Sequence, residues 1–494
     1  MTAAPAPLSD PPPAADGPAV STVEPSRVRP GIFADGAWRH GESAHEVHSP
    51  YDGRLVAVVS HASAQQVPRG RRPVRTLAAT ERARILRACA ERIEARRADL
   101  AATISAEIGM PVTDAENEVN RSVRWLTLAA EAVHHLGGDS TLLAGPGGDR
   151  PAVTVPQAYR RVLAITPYNR PLAQLIVKVA PAMLAGAPII LKPSERASAT
   201  AVLAVEILLE AGYPPEYIGL WTGGPDVAQA LLADAGAEFV AFTGGERTAK
   251  AVAAAAGPRP GCYELGDVGA LVVCADADLD AAARAAAQGA FGNAGQSCRG
   301  VKRLLVADGV ADDFVRLLVA ESAAWQVGDP AARTTRIGTL IDPAAVERVS
   351  SAVDDAVRAG ARVVAGGKRA GTQYWPTVLT DVDPESRLVT EEFLAPLAPV
   401  IRLEDRLLDE LPATYSGGLQ VGVFTRDLQR FTDLAQRLPV GTVIANDGPQ
   451  YDHPLAPFGG VGHSGHGREG VLASARNMCF AKTIVFPATT EGLR

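Results

Sequence analysis

Hydrophobic and polar positions along this chain change their period from one stretch to the next, and the changes mark elements. Between residues 80 and 135, Ile85, Leu86, Cys89 and Ile93 recur at helical spacing, which predicts two helices with Thr80 capping the first. From Arg161 onward, short apolar runs alternate with helical patterns. Val162-Leu163-Ala164-Ile165 predicts a buried strand, 172–184 a helix, 188–191 a strand, 199–210 a helix and 217–222 a strand. A helix over 225–233 has Pro225 in its first turn; the strand Phe239-Val240-Ala241-Phe242 then runs into Thr243-Gly244-Gly245 and a further helix. This alternation predicts an α/β class with a parallel sheet covered on both faces, and ligands beyond the carboxyl ends of its strands. A second alternation, with strand 303–306, helix 311–324, helix 343–359 behind Asp342 as cap, and strand 362–365, predicts a second α/β domain. The chain closes on the apolar run Thr483-Ile484-Val485-Phe486, a strand whose edge needs a partner and so hints at an oligomer.

Composition narrows the function classes. A length of 494 residues is too much for one ordinary core and predicts two or three domains. A net charge of −7 gives no basic face for nucleic acid. The five cysteines, Cys89, Cys262, Cys274, Cys298 and Cys479, are scattered and form no C-x-x-C pair, which argues against a disulfide framework and a zinc site and points to the cytoplasm. No metal role is expected. The longest central apolar run, 179–191, is short for a membrane span and contains Pro181 and Pro188. The N-terminus lacks the charged and apolar regions of a secretory signal; residues 1–30 are Pro/Ala-rich and predict a disordered tail, with order beginning near Phe33.

Chemistry enters with Cys298, which ends the small-residue loop Gly292-Asn293-Ala294-Gly295-Gln296-Ser297-Cys298, and with Glu264 in Tyr263-Glu264-Leu265-Gly266. An accessible thiol and a separate carboxylate suit covalent catalysis followed by activation of a water. A lone cysteine is more often a small buried hydrophobe, so the weight rests on its company. No G-x-G-x-x-G fingerprint joins a strand to a helix. Thr243-Gly244-Gly245 could let backbone amides approach a phosphate, or be an ordinary turn. Leu191-Lys192-Pro193-Ser194-Glu195 leaves a strand with a lysine and a carboxylate that could hold a ribose, or be a solvated pair at a helix start.

Together these motifs resemble the aldehyde dehydrogenase superfamily, in its NAD(P)-dependent, cysteine-nucleophile, hydrolytic form. The resemblance runs from Phe33 to Val485 through Ile165-Thr166-Pro167-Tyr168-Asn169, Leu191-Lys192-Pro193-Ser194-Glu195, Phe242-Thr243-Gly244, Glu264-Leu265-Gly266, Gly295-Gln296-Ser297-Cys298, Glu391-Glu392-Phe393 with Pro396, and Pro457-Phe458-Gly459-Gly460 with Ser464-Gly465-His466-Gly467-Arg468-Glu469. It implies a Rossmann-like NAD-binding domain over 31–140 and 160–262, a catalytic domain over 263–465, and a small β oligomerisation extension from 141–159 and 466–494 that pairs subunits into a dimer or tetramer. It also implies roles. Cys298 attacks a small-molecule aldehyde, Asn169 and the Cys298 N–H hold the oxyanion, hydride leaves to the nicotinamide, and Glu264 activates the water that cleaves the thioester; Lys178 relays protons. Ile165, Thr166, Pro167, Tyr168, Lys192, Ser194, Glu195, Gly244, Gly245, Leu265, Gly266, Glu392 and Leu394 surround the cofactor. Lys192 and Glu195 take the adenosine ribose and Glu392 the nicotinamide ribose, with Glu195 favouring NAD over NADP.

The chain departs from the family pattern at several positions. Asp267 stands where a second glycine is usual, with a charge that could act on Glu264; Gly245 replaces a serine and Leu394 a phenylalanine. Ser297 and Phe458 are expected at the aldehyde. Arg170 and Arg299 border the expected aldehyde tunnel, where they could recognise a carboxylate- or phosphonate-bearing substrate and favour the Cys298 thiolate, or else pair with a carboxylate such as Asp267. His463 and His466 read as surface or structural. Two alternatives remain: acyl transfer to CoA, against which Glu264 counts, and a catalytically weakened binding or scaffold protein, which the three departures Asp267, Gly245 and Leu394 would suit.

Overall fold

The computed structural model describes residues 28–68, 74–146, 149–234 and 236–487. Residues 1–27 of the expected tail, and 488–494, lie outside the described residues. The chain enters the fold earlier than expected: Val28–Arg29 pair in parallel with Val58 and Val59, and the Arg29 guanidinium meets the Glu206 carboxylate.

Five apolar runs build the centre of the first unit: β1 Val162–Thr166, β2 Ile189–Pro193, β3 Ile218–Trp221, β4 Phe239–Gly244 and β5 Gly261–Leu265. They are parallel and lie in the order β5-β4-β1-β2-β3, so the winding reverses between β1 and β4. Their side chains are almost all buried on both faces, which is why the runs are continuous rather than alternating. Helices Pro171–Ala185 and Ser198–Glu210 cover one face beneath a second helical layer, and Pro225–Asp234 and Glu246–Ala256 cover the other.

That second layer holds three helices, Ala79–Ala95, Arg97–Ile108 and Val112–Ala132, not the two expected. Apolar periodicity runs through both breaks, but Gly109 turns left-handed at φ 70° and Pro111 cannot donate, so the chain stops and restarts. The first helix begins at Ala79 without a side-chain cap, so Thr80 lies inside it. Asp342 does cap Pro343–Arg358, accepting from Ala345 N.

Two buried glutamates join the layers. Glu118 Oε1 accepts from Leu172 N at 2.7 Å and Ala173 N at 2.9 Å; Glu107 accepts from Ala199 N at 2.7 Å and Thr200 N at 2.9 Å. Each satisfies the free amides opening a helix that follows a central strand. Burial pushes both carboxyls up to about 7.

Only residues 266–269 separate β5 from Ala270–Val273, a central strand of the second unit's seven-stranded sheet. Cys298 lies between helix Leu279–Phe291 and strand Arg303–Ala307 of that sheet, so the junction brings Glu264 and Cys298 to one place. Strands Thr377–Thr380, Leu397–Leu403, Gln420–Phe424 and Thr442–Ala445 complete the parallel part, and Arg362–Ala365 is an antiparallel edge on Thr377–Thr380. Asp139–Leu143, Arg150–Ala158 and Cys479–Val485 form a separate antiparallel sheet, with Leu142, Ile484 and Val485 exposed. The segment 466–494 is divided: Gly465–His466 adds an edge to β5 and helix Val471–Asn477 packs into the first core before the chain reaches this sheet.

Candidate active site

The reversal between β1 and β4 opens a crevice at the carboxyl edge of the sheet, the place where doubly wound sheets take ligands. A cavity of about 380 Å³ occupies it. Ile165, Thr166, Pro167 and Tyr168 leave β1; Lys192, Ser194 and Glu195 leave β2; Gly244 and Gly245 follow β4; Leu265 and Gly266 follow β5; Glu392 and Leu394 arrive from the second unit, and all of them line this cavity. So do Asn169, Glu264 and Cys298. Lys178, Arg170, Ser297, Arg299 and Phe458 do not.

The donor set fits a dinucleotide. Lys192 Nζ, buried, donates to Pro193 O at 3.0 Å and lies 3.9 Å from Glu195 Oε2, a half-exposed carboxylate at the cavity edge. Gly245 lines the cavity and precedes helix Glu246–Ala256, and a Cβ on Gly245 would meet nothing within 4 Å. Gly266 is packed so closely on the Glu392 carboxylate that any Cβ would overlap it.

The loop before Cys298 is strained. Asn293, Ala294 and Gly295 have successive φ values of 53°, 53° and 70°, a left-handed run that only glycine adopts freely. Polar bonds hold it: Asn169 Nδ2 donates to Gln296 O at 2.9 Å, Asn293 Nδ2 to Asn169 O at 3.1 Å, and Gln296 Nε2 to Thr339 O at 3.0 Å. Ser297 Oγ accepts from Arg299 N at 3.3 Å, a loop bond rather than a contact with the cavity.

Glu264 is 1 % exposed, and neither carboxylate oxygen has a fixed hydrogen-bond donor. Burial, then the Glu469 carboxylate, push it up to about 7, against the pull of the Cys298 thiol, Lys178 and Arg299. Burial and Glu264 together push the Cys298 thiol well up, while Arg299 pulls the other way. The Arg299 charge therefore acts toward the thiolate, the direction expected of it, and desolvation outweighs it. Lys178 Nζ donates to Thr243 Oγ1 at 2.7 Å and pairs with the buried Glu469 carboxylate. Glu469 exchanges both backbone bonds with Phe458, tying Lys178 to the loop that carries that ring.

Asp267 does not act as expected either. Its Oδ2 accepts from Leu419 N at 2.7 Å, its Oδ1 lies 3.7 Å from His463 Nε2, and its charge acts on Glu392 rather than Glu264. The partner of Arg299 is Asp452 instead: Asp452 Oδ1 lies 2.8 Å from Arg299 Nη1 and its Oδ2 lies 2.6 Å from Arg121 Nη1. The Arg299 guanidinium also lies over the Phe458 ring, 5.4 Å from its centroid. One carboxylate thus serves two arginines. Burial and then the Arg299 charge push the Arg121 guanidinium down to about 10, against the pull of Asp452 and Glu469. Arg170 is compensated separately, by Asp114 and Glu118. Arg121 and Asp452 carry no signal in the sequence, since 178 and 153 residues separate them from positions they meet only through folding: Arg121 from Arg299 (299 − 121) and Arg299 from Asp452 (452 − 299). Glu469 was visible only as part of a motif.

Among the described residues, no group of three or more metal-ligating side chains occurs, and no helix is long and apolar enough to cross a membrane.

Comparison with known proteins agrees with this geometry. The aldehyde dehydrogenase family model matches residues 38–484. The sulfoacetaldehyde dehydrogenase of Neptuniibacter caesariensis is 34% identical over 416 residues, covering 83% of this chain and 91% of that protein. The crystal structure of an NAD-dependent aldehyde dehydrogenase from Sinorhizobium meliloti aligns at TM-score 0.88 with 30% identity, over 95% of this chain and 96% of that one. A glyceraldehyde-3-phosphate dehydrogenase from Methanocaldococcus jannaschii, complexed with NADP, aligns at TM-score 0.84 with 30% identity, over 90% of this chain and 99% of that one.

Proposed function

The chain belongs to the aldehyde dehydrogenase family, and from that premise we propose that it oxidises an anionic aldehyde to the carboxylic acid, with NAD, through thiol chemistry at Cys298. The observation that carries the reading is the meeting of Cys298, Glu264 and Asn169 on the wall of the dinucleotide crevice. Cys298 Sγ adds to the carbonyl carbon. The Asn169 amide, with one N–H committed to Gln296 O, has its second to offer the oxyanion beside the Cys298 N–H. NAD held in the crevice would supply the acceptor for the hydride from that carbon. The thioester left on Cys298 is then cleaved by water, whose proton goes to Glu264. A carboxyl raised to about 7 is suited to that task near neutral pH. Lys178, paired with Glu469, supplies the opposing charge behind it.

Two further features support the finer parts. Glu195 brings a carboxylate to the cavity edge beside Lys192, and a carboxylate there would repel a 2′-phosphate, which favours NAD. The Arg121–Asp452–Arg299 cluster has one more positive charge than negative, and a carboxylate, sulfonate or phosphonate on the aldehyde would balance it. The aldehydes in the names of two relatives, sulfoacetaldehyde and glyceraldehyde 3-phosphate, are anionic. The exposed apolar residues of the small sheet favour a homodimer or homotetramer, and the unpaired cysteines favour the cytoplasm. Transfer to CoA is disfavoured by a base beside the thiol, and a scaffold has no use for the assembled trio.

The test is NADH formation over aliphatic, aromatic and anionic aldehydes, with Cys298→Ala alongside. Turnover of an anionic aldehyde that vanishes in the variant supports the reading. A strong preference for a neutral aliphatic aldehyde over its ω-carboxylate removes the anion part, and failure to bind NAD removes the whole.

A further inference from the structure

The mechanism above leaves one buried cation of the catalytic unit unused. Lys302 lies four residues after the nucleophile, just before strand Arg303–Ala307. Lysines at such places normally run their stems to the surface and keep the ammonium in water. Lys302 is only 6 % exposed, and among the described residues it lies within ion-pair distance of no carboxylate. Its Nζ donates to Gly295 O at 2.6 Å. That carbonyl belongs to the last residue of the left-handed run before Cys298, and a Cβ on Gly295 would overlap the Ala395 carbonyl, so the loop is clamped from both sides.

A lone buried ammonium is costly, and burial pushes Lys302 down to about 8. The charges that act on it are Glu392 and then Cys298. Glu392 in turn feels Lys302 before Asp267 and Arg348, and Cys298 feels Glu264, Arg299 and Glu392. Lys302 thus feels both the carboxylate expected at the cofactor and the thiol, and its bond to Gly295 O sets it against the loop that ends at Cys298.

We propose that Lys302 is a positioning residue: its ammonium pins the nucleophile loop through Gly295 O, and its buried charge stabilises both the Cys298 thiolate and the Glu392 carboxylate. The inference rests on the reading of Cys298 as nucleophile. It adds a second cation to the Arg299 charge that already acts toward ionisation of a thiol desolvated and set beside a carboxylate.

The experiment is the pH dependence of iodoacetamide alkylation at Cys298, located by mass spectrometry, in the full-length protein and in Lys302→Met and Lys302→Gln, with NAD affinity read by titration calorimetry. Both variants should move the alkylation midpoint up by about one pH unit, roughly tenfold slower reaction at a given pH below it, and weaken NAD binding severalfold. An unmoved midpoint in a folded Lys302→Met overturns the proposal. A shift in Met but not in Gln, which can still donate to a carbonyl, leaves only a structural pin and overturns the charge role. If neither variant folds, Lys302→Arg decides: the charge role requires the midpoint to stay, and a one-unit shift sinks it. Alkylation needs no aldehyde, so loss of this inference leaves turnover standing, and absence of turnover with the expected shift counts against the function alone.

Discussion

The two sides of Cys298 are made of different material. On the cofactor side the wall comes from the ends of β1, β2, β4 and β5, from helices Pro225–Asp234 and Glu246–Ala256 that follow β3 and β4, and from Glu392 and Leu394. On the other side it is charge, drawn from Arg121, Arg299 and Asp452, three segments with no common element. Once the parallel sheet forms, the first wall follows from its register. The second exists only when three distant segments have packed. The cofactor side should therefore tolerate most single changes, and the charged side should not.

The largest effect belongs to the residue where the two sides meet. Glu264→Gln should lower steady-state kcat about 10³-fold while leaving a burst of NADH, because thiol attack survives and thioester hydrolysis does not. A rapid-quench trace without a burst would move Glu264 to the first half-reaction. Next comes Arg299→Leu, which leaves Asp452 to Arg121 alone. We expect kcat/KM for an anionic aldehyde to fall about 10²-fold, near 3 kcal/mol, with NAD affinity within about twofold. Equal losses on both ligands would erase the division between the sides.

The pH profile sharpens the same boundary. On the proposed mechanism the ionised form of Glu264 is the active one, and its carboxyl is raised to about 7. Activity should be full above that value and fall about tenfold per pH unit below it. Lys178→Met should shift the limb upward, because Lys178 holds the carboxyl down. A smaller effect is expected at Glu118→Leu, which strips the cap from helix Pro171–Ala185. Stability read by denaturant midpoint should fall by about 1–2 kcal/mol. Smallest is Gly245→Ser on the cofactor side: its φ of −75° is ordinary and its Cβ is free, so helix Glu246–Ala256 should gain a few tenths of a kcal/mol with the dinucleotide site intact.

The errors in reading elements have a local cause. Two helices were expected where three stand because apolar periodicity persists across Arg96 and Gly109, while the breaks are set by backbone at single positions. Strands Gly261–Leu265 and Gln420–Phe424 are weakly written in the sequence, since a run such as Gln420-Val421-Gly422-Val423-Phe424 contains a buried glutamine and a glycine that weaken the pattern.

What the amino-acid order determined by itself is the alternation of strands and helices, and with it the crevice at the sheet's carboxyl edge. It also determined the chemistry-bearing loop before Cys298. Both follow from short-range effects: side-chain periodicity decides which faces are buried, and glycine permits the turns after strands. Which charges meet was decided only in three dimensions. Asp267 went to Leu419 and His463, Asp452 to two arginines, Glu469 to Lys178, and Lys302 to a carbonyl of the nucleophile loop. A charge acts through space without regard to chain separation, and its pKa depends on how much water the packed structure leaves it. Neither quantity exists until the two sheets have closed around it.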